Sequence, residues 1–205
     1  MNARAAGGRP TKAQAAARTE LLLDTARELF CRKGFAGTSL DEIAALLRSS
    51  KHTIYRRYPG KLELLEAVVE RDVDRFRKAL AQAGAAGADP VDVLRAMARS
   101  YFGFGASRDY AALYAAISLE AATSAHLRNK LREWASAALA PLREAIAIAM
   151  PQADPAEACE ILIDLLDGAA NRARWSDDAQ ADPSASDRSF AARWDFFRRA
   201  MATAS

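Results

Sequence analysis

Thr38-Ser39-Leu40-Asp41-Glu42-Ile43-Ala44-Ala45-Leu46-Leu47-Arg48-Ser49-Ser50-Lys51-His52-Thr53-Ile54-Tyr55-Arg56-Arg57-Tyr58-Pro59-Gly60-Lys61 is the stretch on which the fold turns. Ser39 followed three residues later by Glu42 has the form of a capping box, with Thr38 and Asp41 as a competing frame. Ile43, Ala44 and Leu47 then line the inner face of a short helix. Arg48-Ser49-Ser50 reads as a turn, Lys51 to Arg57 as a compact second helix capped by Ser49 or Ser50, and Pro59-Gly60 as its end. Two short helices joined by a three- or four-residue turn, the second carrying polar and cationic side chains, have the shape that a DNA major groove accepts.

Upstream, Leu22, Ala26, Leu29 and Phe30 share one face of a longer helix that stops at Gly34. Gly34 is expected to supply the left-handed residue that ends the helix, with Phe35 folding back on its last turn. Residues 1–11 combine Gly, Pro and arginines and suit a flexible basic arm, with Arg4, Arg9 and Lys12 available to phosphates. Downstream, Lys61 opens a fourth helix to about Leu80, and the AQAGAAGADP run predicts a loop over 82–90. Further helices are expected near 90–104, 108–123, 126–149, 155–175 and 187–203. Gly105, Ser124, Met150-Pro151 and the Asp/Ser/Pro-rich segment 176–186 separate them, and Pro141 is expected to kink or divide the third of the set. No alternating pattern competes, so the fold class is all-α.

Charge is unevenly placed. Residues 1–61 hold 12 Lys/Arg against 5 Asp/Glu, a balance of +7, whereas the whole chain is +3, so the remainder is −4. A polyanion should therefore meet the N-terminal third. Cys31 and Cys159 are too far apart in sequence for a metal knuckle and read as small buried residues of a reducing compartment. Neither an apolar leader nor a run of some 18 uncharged apolar residues occurs, so the expectation is a cytoplasmic protein without a membrane partner. His126 reads as a helix-start or surface residue. No catalytic constellation emerges, so an enzyme, a metal site and a cofactor are not expected.

The segment from Ser50 to Lys61 resembles the recognition-helix region of the tetracycline-repressor (TetR) family. The likeness extends to Phe30…Lys33-Gly34-Phe35, the Thr38-Ser39 start and Asp41-Glu42-Ile43-Ala44, in ordered register over about 50 residues. It implies an arm and three-helix DNA-binding head over 1–61. A connecting helix then leads into a helical effector-binding and dimerisation domain over 62–205. By position, Lys51, His52, Thr53, Tyr55, Arg56 and Arg57 form the groove- or phosphate-facing set, and Ile54 points inward. Lys51 and His52 are the leading candidates for base readout. The Tyr55 hydroxyl suits phosphate and its ring a thymine methyl, with packing inside the head as its alternative. Arg56 and Arg57 read guanine or neutralise phosphate, and Thr38, Ser39, Ser50 and Lys61 clamp the backbone or act as caps. Where the family commonly has glycine and an aliphatic residue in the turn, this chain has Arg48-Ser49, so the turn must form without glycine's freedom. His52 stands where a small residue is common.

The resemblance further implies that Tyr101, Phe102, Phe104, Tyr110, Tyr114 and Trp134 lie in helices around an effector cavity suited to an apolar or aromatic small molecule, with core packing as the alternative. Phe102, Tyr110, Tyr114 and Trp134 are the pocket candidates, and a charged effector would need a partner such as Glu120 or Arg99. Ile161, Leu165, Leu166, Phe190, Trp194 and Phe197 are the candidates for a homodimer interface, which predicts a palindromic double-stranded operator. The function implied is a repressor released from its operator by ligand. The alternatives are a ligand-dependent activator or co-repressor form, and a helical small-molecule-binding protein with a vestigial head.

Overall fold

The computed structural model describes residues 11–85, 87–175 and 183–203, and among them every regular element is an α-helix. They are α1 (Lys12–Lys33), α2 (Leu40–Leu46), α3 (Lys51–Arg57), α4 (Lys61–Gly84), α5 (Pro90–Ala106), α6 (Arg108–Ala121), α7 (Ala125–Ala149), α8 (Pro155–Trp175) and α9 (Pro183–Thr203). The chain packs as two units that meet within α4, Met1–Val69 and Glu70–Ser205. Leu64, Leu65 and Val68 are buried in the first unit, so the start of α4 belongs to the head's core. Arg4 and Arg9 lie outside the described residues.

In the first unit, Thr11 caps α1 through a capping box with Gln14, and Leu22, Leu23, Ala26, Leu29 and Phe30 are its buried face. Gly34 ends α1 at φ 69° and ψ 178°. That is the extended, positive-φ region open essentially to glycine alone, not the left-handed helical well expected from sequence. Phe35 folds back as expected, its ring stacked on Phe30 at 6.1 Å between centroids.

The α2–α3 turn is closed by two hydrogen bonds, Ser49 N to Ala44 O at 2.9 Å and Arg48 N to Ala45 O at 3.1 Å. This is a Schellman arrangement. Its pivotal residue, Arg48, stands at φ 49°, a left-handed conformation in which any Cβ crowds the following carbonyl. Arginine therefore takes the place that glycine fills at low cost.

In the second unit, α5, α7, α8 and α9 surround a core that includes Phe102, Leu142, Ile146, Leu162, Leu166, Phe190, Trp194 and Phe197. Several sequence expectations are corrected here. The 82–90 loop begins only after Gly84, because AQAG continues α4. Gly105 does not separate helices: it sits inside α5, where an added Cβ would stand 3.3 Å from Ala170 Cβ, so it lets α5 approach α8. Of the two outcomes expected at Pro141, division does not occur: α7 is one helix through the proline, and Arg143 donates to the Ser136 carbonyl at 2.7 Å in the turn before it. α9 begins at Pro183, earlier than expected, and the segment 176–182 lies outside the described residues. Cys159 is buried and Cys31 half-buried rather than buried, and neither forms a disulfide.

Two substitutions test these backbone assignments by urea unfolding of the head transition. Gly34→Ala is expected to destabilise by about 1–3 kcal/mol through its φ. Arg48→Gly is expected to stabilise by about 1 kcal/mol, because relief of the left-handed strain outweighs glycine's greater freedom in the unfolded chain.

Candidate nucleic-acid interface

α3 has one buried turn-to-turn stripe, Ile54 with Tyr58 just beyond its end, and everything else on it is exposed: Lys51, His52, Thr53, Tyr55, Arg56 and Arg57. One apolar anchor thus fixes the helix against the head while six polar or cationic residues face outward. At 100° per residue, His52 and Arg56 lie opposite Ile54 and Tyr58, with Lys51 and Tyr55 on one flank and Thr53 and Arg57 on the other. Tyr55 is 44% exposed, which favours the outward role over packing.

The flanks are held differently. Ser50 caps α3, its hydroxyl accepting from Thr53 N at 3.2 Å and lying 2.7 Å from the Thr53 hydroxyl. Lys51 Nζ meets Asp41 Oδ2 of α2 at 2.5 Å. The hydrogen bond to Asp41, and then its charge, raise the Lys51 pKa above the ordinary lysine value. Arg57 donates to Thr19 Oγ1 of α1 at 2.6 Å and lies 5.7 Å from the Tyr58 ring centroid. It therefore ties α3 to α1 as well as presenting charge. Lys61 lies over the Phe35 ring at 4.4 Å and reaches Ala36 O at 3.4 Å, so it fastens the start of α4 to the loop before α2.

Ser39 caps α2 by accepting from Glu42 N at 3.1 Å. Glu42 does not return the bond that would complete a capping box; its carboxylate pairs with Lys33 Nζ at 2.5 Å. Thr38 departs from expectation: it is 3% exposed and its hydroxyl donates to Gly34 O at 2.8 Å. A buried hydroxyl committed to a helix end is not placed to clamp a phosphate, which corrects its assignment to the interface.

The second unit redistributes the other candidates. Phe102 is fully buried against Phe190, and Trp134 is buried beneath Lys130. Tyr110 and Tyr114 are stacked at 6.5 Å and exposed at 38% and 55%. The four candidates are thus divided between packing and surface. Arg99 is paired with Asp187 and lies over the Phe102 and Phe190 rings. Sequence reasoning missed a polar group at the α5–α8 contact. Tyr101 donates to Asp167 Oδ1 at 2.9 Å, and Arg174 donates to the Gly105 carbonyl and to Asn171. Desolvation of its hydroxyl by the surrounding helices, followed by the nearby Asp167 charge, pushes Tyr110 up to about 12 although the residue as a whole is partly exposed. Partial desolvation beside α5 also raises Asp167 above the usual carboxylate value, against the lowering effect of the Tyr101 hydrogen bond. No sequence rule joins positions 101, 110 and 167, which only the packing of α5, α6 and α8 brings together.

Four of the six dimer candidates are core residues of the single chain. Leu166, Phe190, Trp194 and Phe197 are 0–4% exposed within a single chain and belong to its own core. Ile161 and Leu165 are half-buried on α8, and α9 turns Phe196 outward at 54% exposure.

Residues 22–68 match the family model for bacterial regulatory proteins of the tetR family. The "HTH-type transcriptional activator FasR" of Mycolicibacterium smegmatis is 36% identical over 40% of this chain and 38% of its own length. The "DNA-binding transcriptional repressor TetR" of Mycobacteroides abscessus is 42% identical over 26% of this chain and 28% of its own length. The chain thus aligns with less than two fifths of the length of either curated relative. Solved structures extend the likeness of fold to nearly the whole chain. A TetR-family transcriptional regulator from Streptomyces coelicolor superposes with TM-score 0.75 at 21% identity, over 94% of this chain and 97% of its own. A regulator from Saccharomonospora viridis, solved in complex with choline, gives TM-score 0.72 at 19% identity, over 90% of this chain and 97% of its own.

The reassignment of Thr38 predicts that Thr38→Val costs about 1 kcal/mol of head stability in urea unfolding, the value of one hydrogen bond at a helix end. Ser39→Ala should cost a similar amount through the lost cap.

Proposed function

We propose that this chain, which belongs to the tetR family of bacterial regulatory proteins, is a sequence-specific transcriptional regulator that binds double-stranded DNA as a homodimer. The observation that carries the reading is α3 itself, with Ile54 buried, six polar or cationic side chains outward, and the excess charge of residues 1–61 on the same unit. His52 and Arg56, opposite the buried stripe, enter the major groove and meet base edges, while Lys51 and Tyr55 reach the groove wall on the α2 flank. Arg57, Ser50, Ser39 and Lys61 position the strand through phosphates. Lys51 leaves Asp41 for the DNA, an exchange that an exposed ion pair permits because water screens it in the free protein. Action on chromosomal DNA would place the protein in the cytoplasm. No helix among the described residues is long and apolar enough to cross a membrane.

The dimer forms through the outward stripe of α8 and α9, with Ile161, Leu165 and Phe196 at its centre. A half-buried aliphatic pair at i and i+4 and an exposed phenylalanine are the kind of surface that a second copy covers. Two-fold symmetry then calls for a palindromic operator with half-sites about one helical turn apart. A small molecule binds in the second unit, where Tyr101, Tyr110 and Asp167 offer hydroxyl and carboxylate groups among aromatic rings. The choline complex of the S. viridis regulator supports a small, partly polar effector. Effector binding releases the operator, so the chain represses. The activator relative from M. smegmatis favours the opposite sign, and titrating effector against labelled operator separates the two, since coupling of DNA and effector affinities is reciprocal.

Operator duplex selected from a random-sequence pool supplies the direct test, with anisotropy titrations at several salt concentrations. Lys51→Ala should weaken binding several-fold and reduce the salt slope by about one, as expected for one lost phosphate contact. Unchanged affinity removes Lys51 from the interface. In gel filtration Phe196→Asp should give a folded monomer, whereas Trp194→Asp should disrupt the fold, because Trp194 is buried within its own chain. A folded dimer from both variants would refute the interface.

A further inference from the structure

One cavity in the first unit joins Arg57 to two arginines, Arg18 and Arg48, to whose side chains no contact has been assigned so far. It encloses about 590 Å³ in the groove between α1, the α2–α3 turn and the Thr53–Arg57 flank of α3. Arg18, Arg48 and Arg57 line it, with hydroxyls from Thr19, Ser49, Ser50 and Thr53 between them, over a floor that includes Leu47 and Ile54. No carboxylate is among its lining residues. Three arginines lining one groove with no acid among the lining residues, beside several hydroxyl-bearing residues, match the donor requirements of phosphate, for which arginine's planar fork is well shaped.

A second, independent observation points to the same place. Arg48 holds the left-handed conformation at φ 49°, where glycine would be less strained and would bring no side chain into the groove. Backbone strain in a non-glycine residue persists where the surroundings enforce it and is enriched at functional sites. Here the strained residue is one of the three arginines that line the groove.

We propose that this α1–α3 pocket is a phosphate seat, in which Arg18, Arg48 and Arg57 grip a DNA backbone phosphate on the flank of α3 opposite Lys51. The inference rests on the DNA-binding reading and adds to it a second clamp. α3 is then held in the groove from both sides, by Lys51 and Tyr55 toward one strand and by the arginine pocket toward the other. Phosphate contact carries no sequence information, so the seat sets register and affinity rather than base preference. The backbone is favoured over a free phosphorylated molecule because the pocket runs along the recognition helix itself, beside the outward His52 and Arg56.

The test uses the full chain and two 30-base-pair duplexes, one selected from a random pool and one of unrelated sequence, titrated from about 50 to 200 mM salt. Arg48→Gly and Arg18→Gln should each weaken both duplexes by the same factor, about 3- to 30-fold, and each should lower the salt slope by about one. Arg143→Ala, which removes a positive charge from α7, controls for net charge and should change neither. The Arg48→Gly chain should melt no lower than the unmodified chain, so its loss of affinity cannot come from unfolding. Equal DNA affinity and slope in Arg48→Gly and the unmodified chain overturn the proposal while leaving the DNA-binding reading intact. No DNA binding by the unmodified chain overturns both. Inorganic phosphate, titrated without DNA and followed by thermal shift, distinguishes the sources. Saturable stabilisation below millimolar phosphate that Arg48→Gly abolishes, with DNA binding unaffected, would assign the pocket to a free phosphate and overturn the backbone version.

Discussion

The orientation of α3 against α2 depends on a turn of three residues, closed by the Ser49 and Arg48 backbone donors onto Ala44 and Ala45. Nothing else fixes that angle so locally: α2 and α3 are each seven residues long, too short to persist in water on their own. Ile54 supplies the single anchor that presses α3 onto the head, and Ser39 and Ser50 satisfy the first donors of both helices. Once the turn and the anchor are set, the outward positions of His52, Tyr55 and Arg56 follow from helical geometry alone. The turn is held by an arginine in a conformation suited to glycine, so the head carries a local strain at the point from which α3 projects.

The charged residues around α3 show how an exposed cationic surface is kept ordered without DNA. Lys51 rests on Asp41, Arg57 on Thr19, Lys61 on Phe35 and Ala36, and Lys33 on Glu42. Each contact is exposed and weak enough to exchange for a phosphate, yet together they limit the rotamers that long side chains would otherwise sample.

Much of this was legible in the sequence because it is local. The helix start at Ser39, a start at Ser49 or Ser50, the stop at Gly34 and the fold-back of Phe35 follow from spacing and cap chemistry within a few residues, and the family resemblance places Ile54 inward. What escaped was non-local. The Lys51–Asp41 and Arg57–Thr19 contacts join residues 10 and 38 positions apart, and Tyr101 meets Asp167 across 66. Trp194 and Phe197 illustrate the same limit from the other side: an apolar stripe announces that a helix is covered, and cannot say whether its own chain or a second copy covers it. The reading of Gly105 as a separator failed because a glycine that admits a neighbouring helix looks, in sequence, like one that ends a helix. Thr38 was misassigned because a threonine before a helix serves equally as a cap, a tie or a surface hydroxyl, and only its burial decides.

Amide hydrogen–deuterium exchange of the full chain, with and without a duplex selected from a random pool, tests the central claim most directly. The account predicts that DNA slows exchange across residues 48–58, in the turn and α3, and around the start of α4. Protection confined to residues 70–205, or no change anywhere at a DNA concentration that saturates binding, would contradict it.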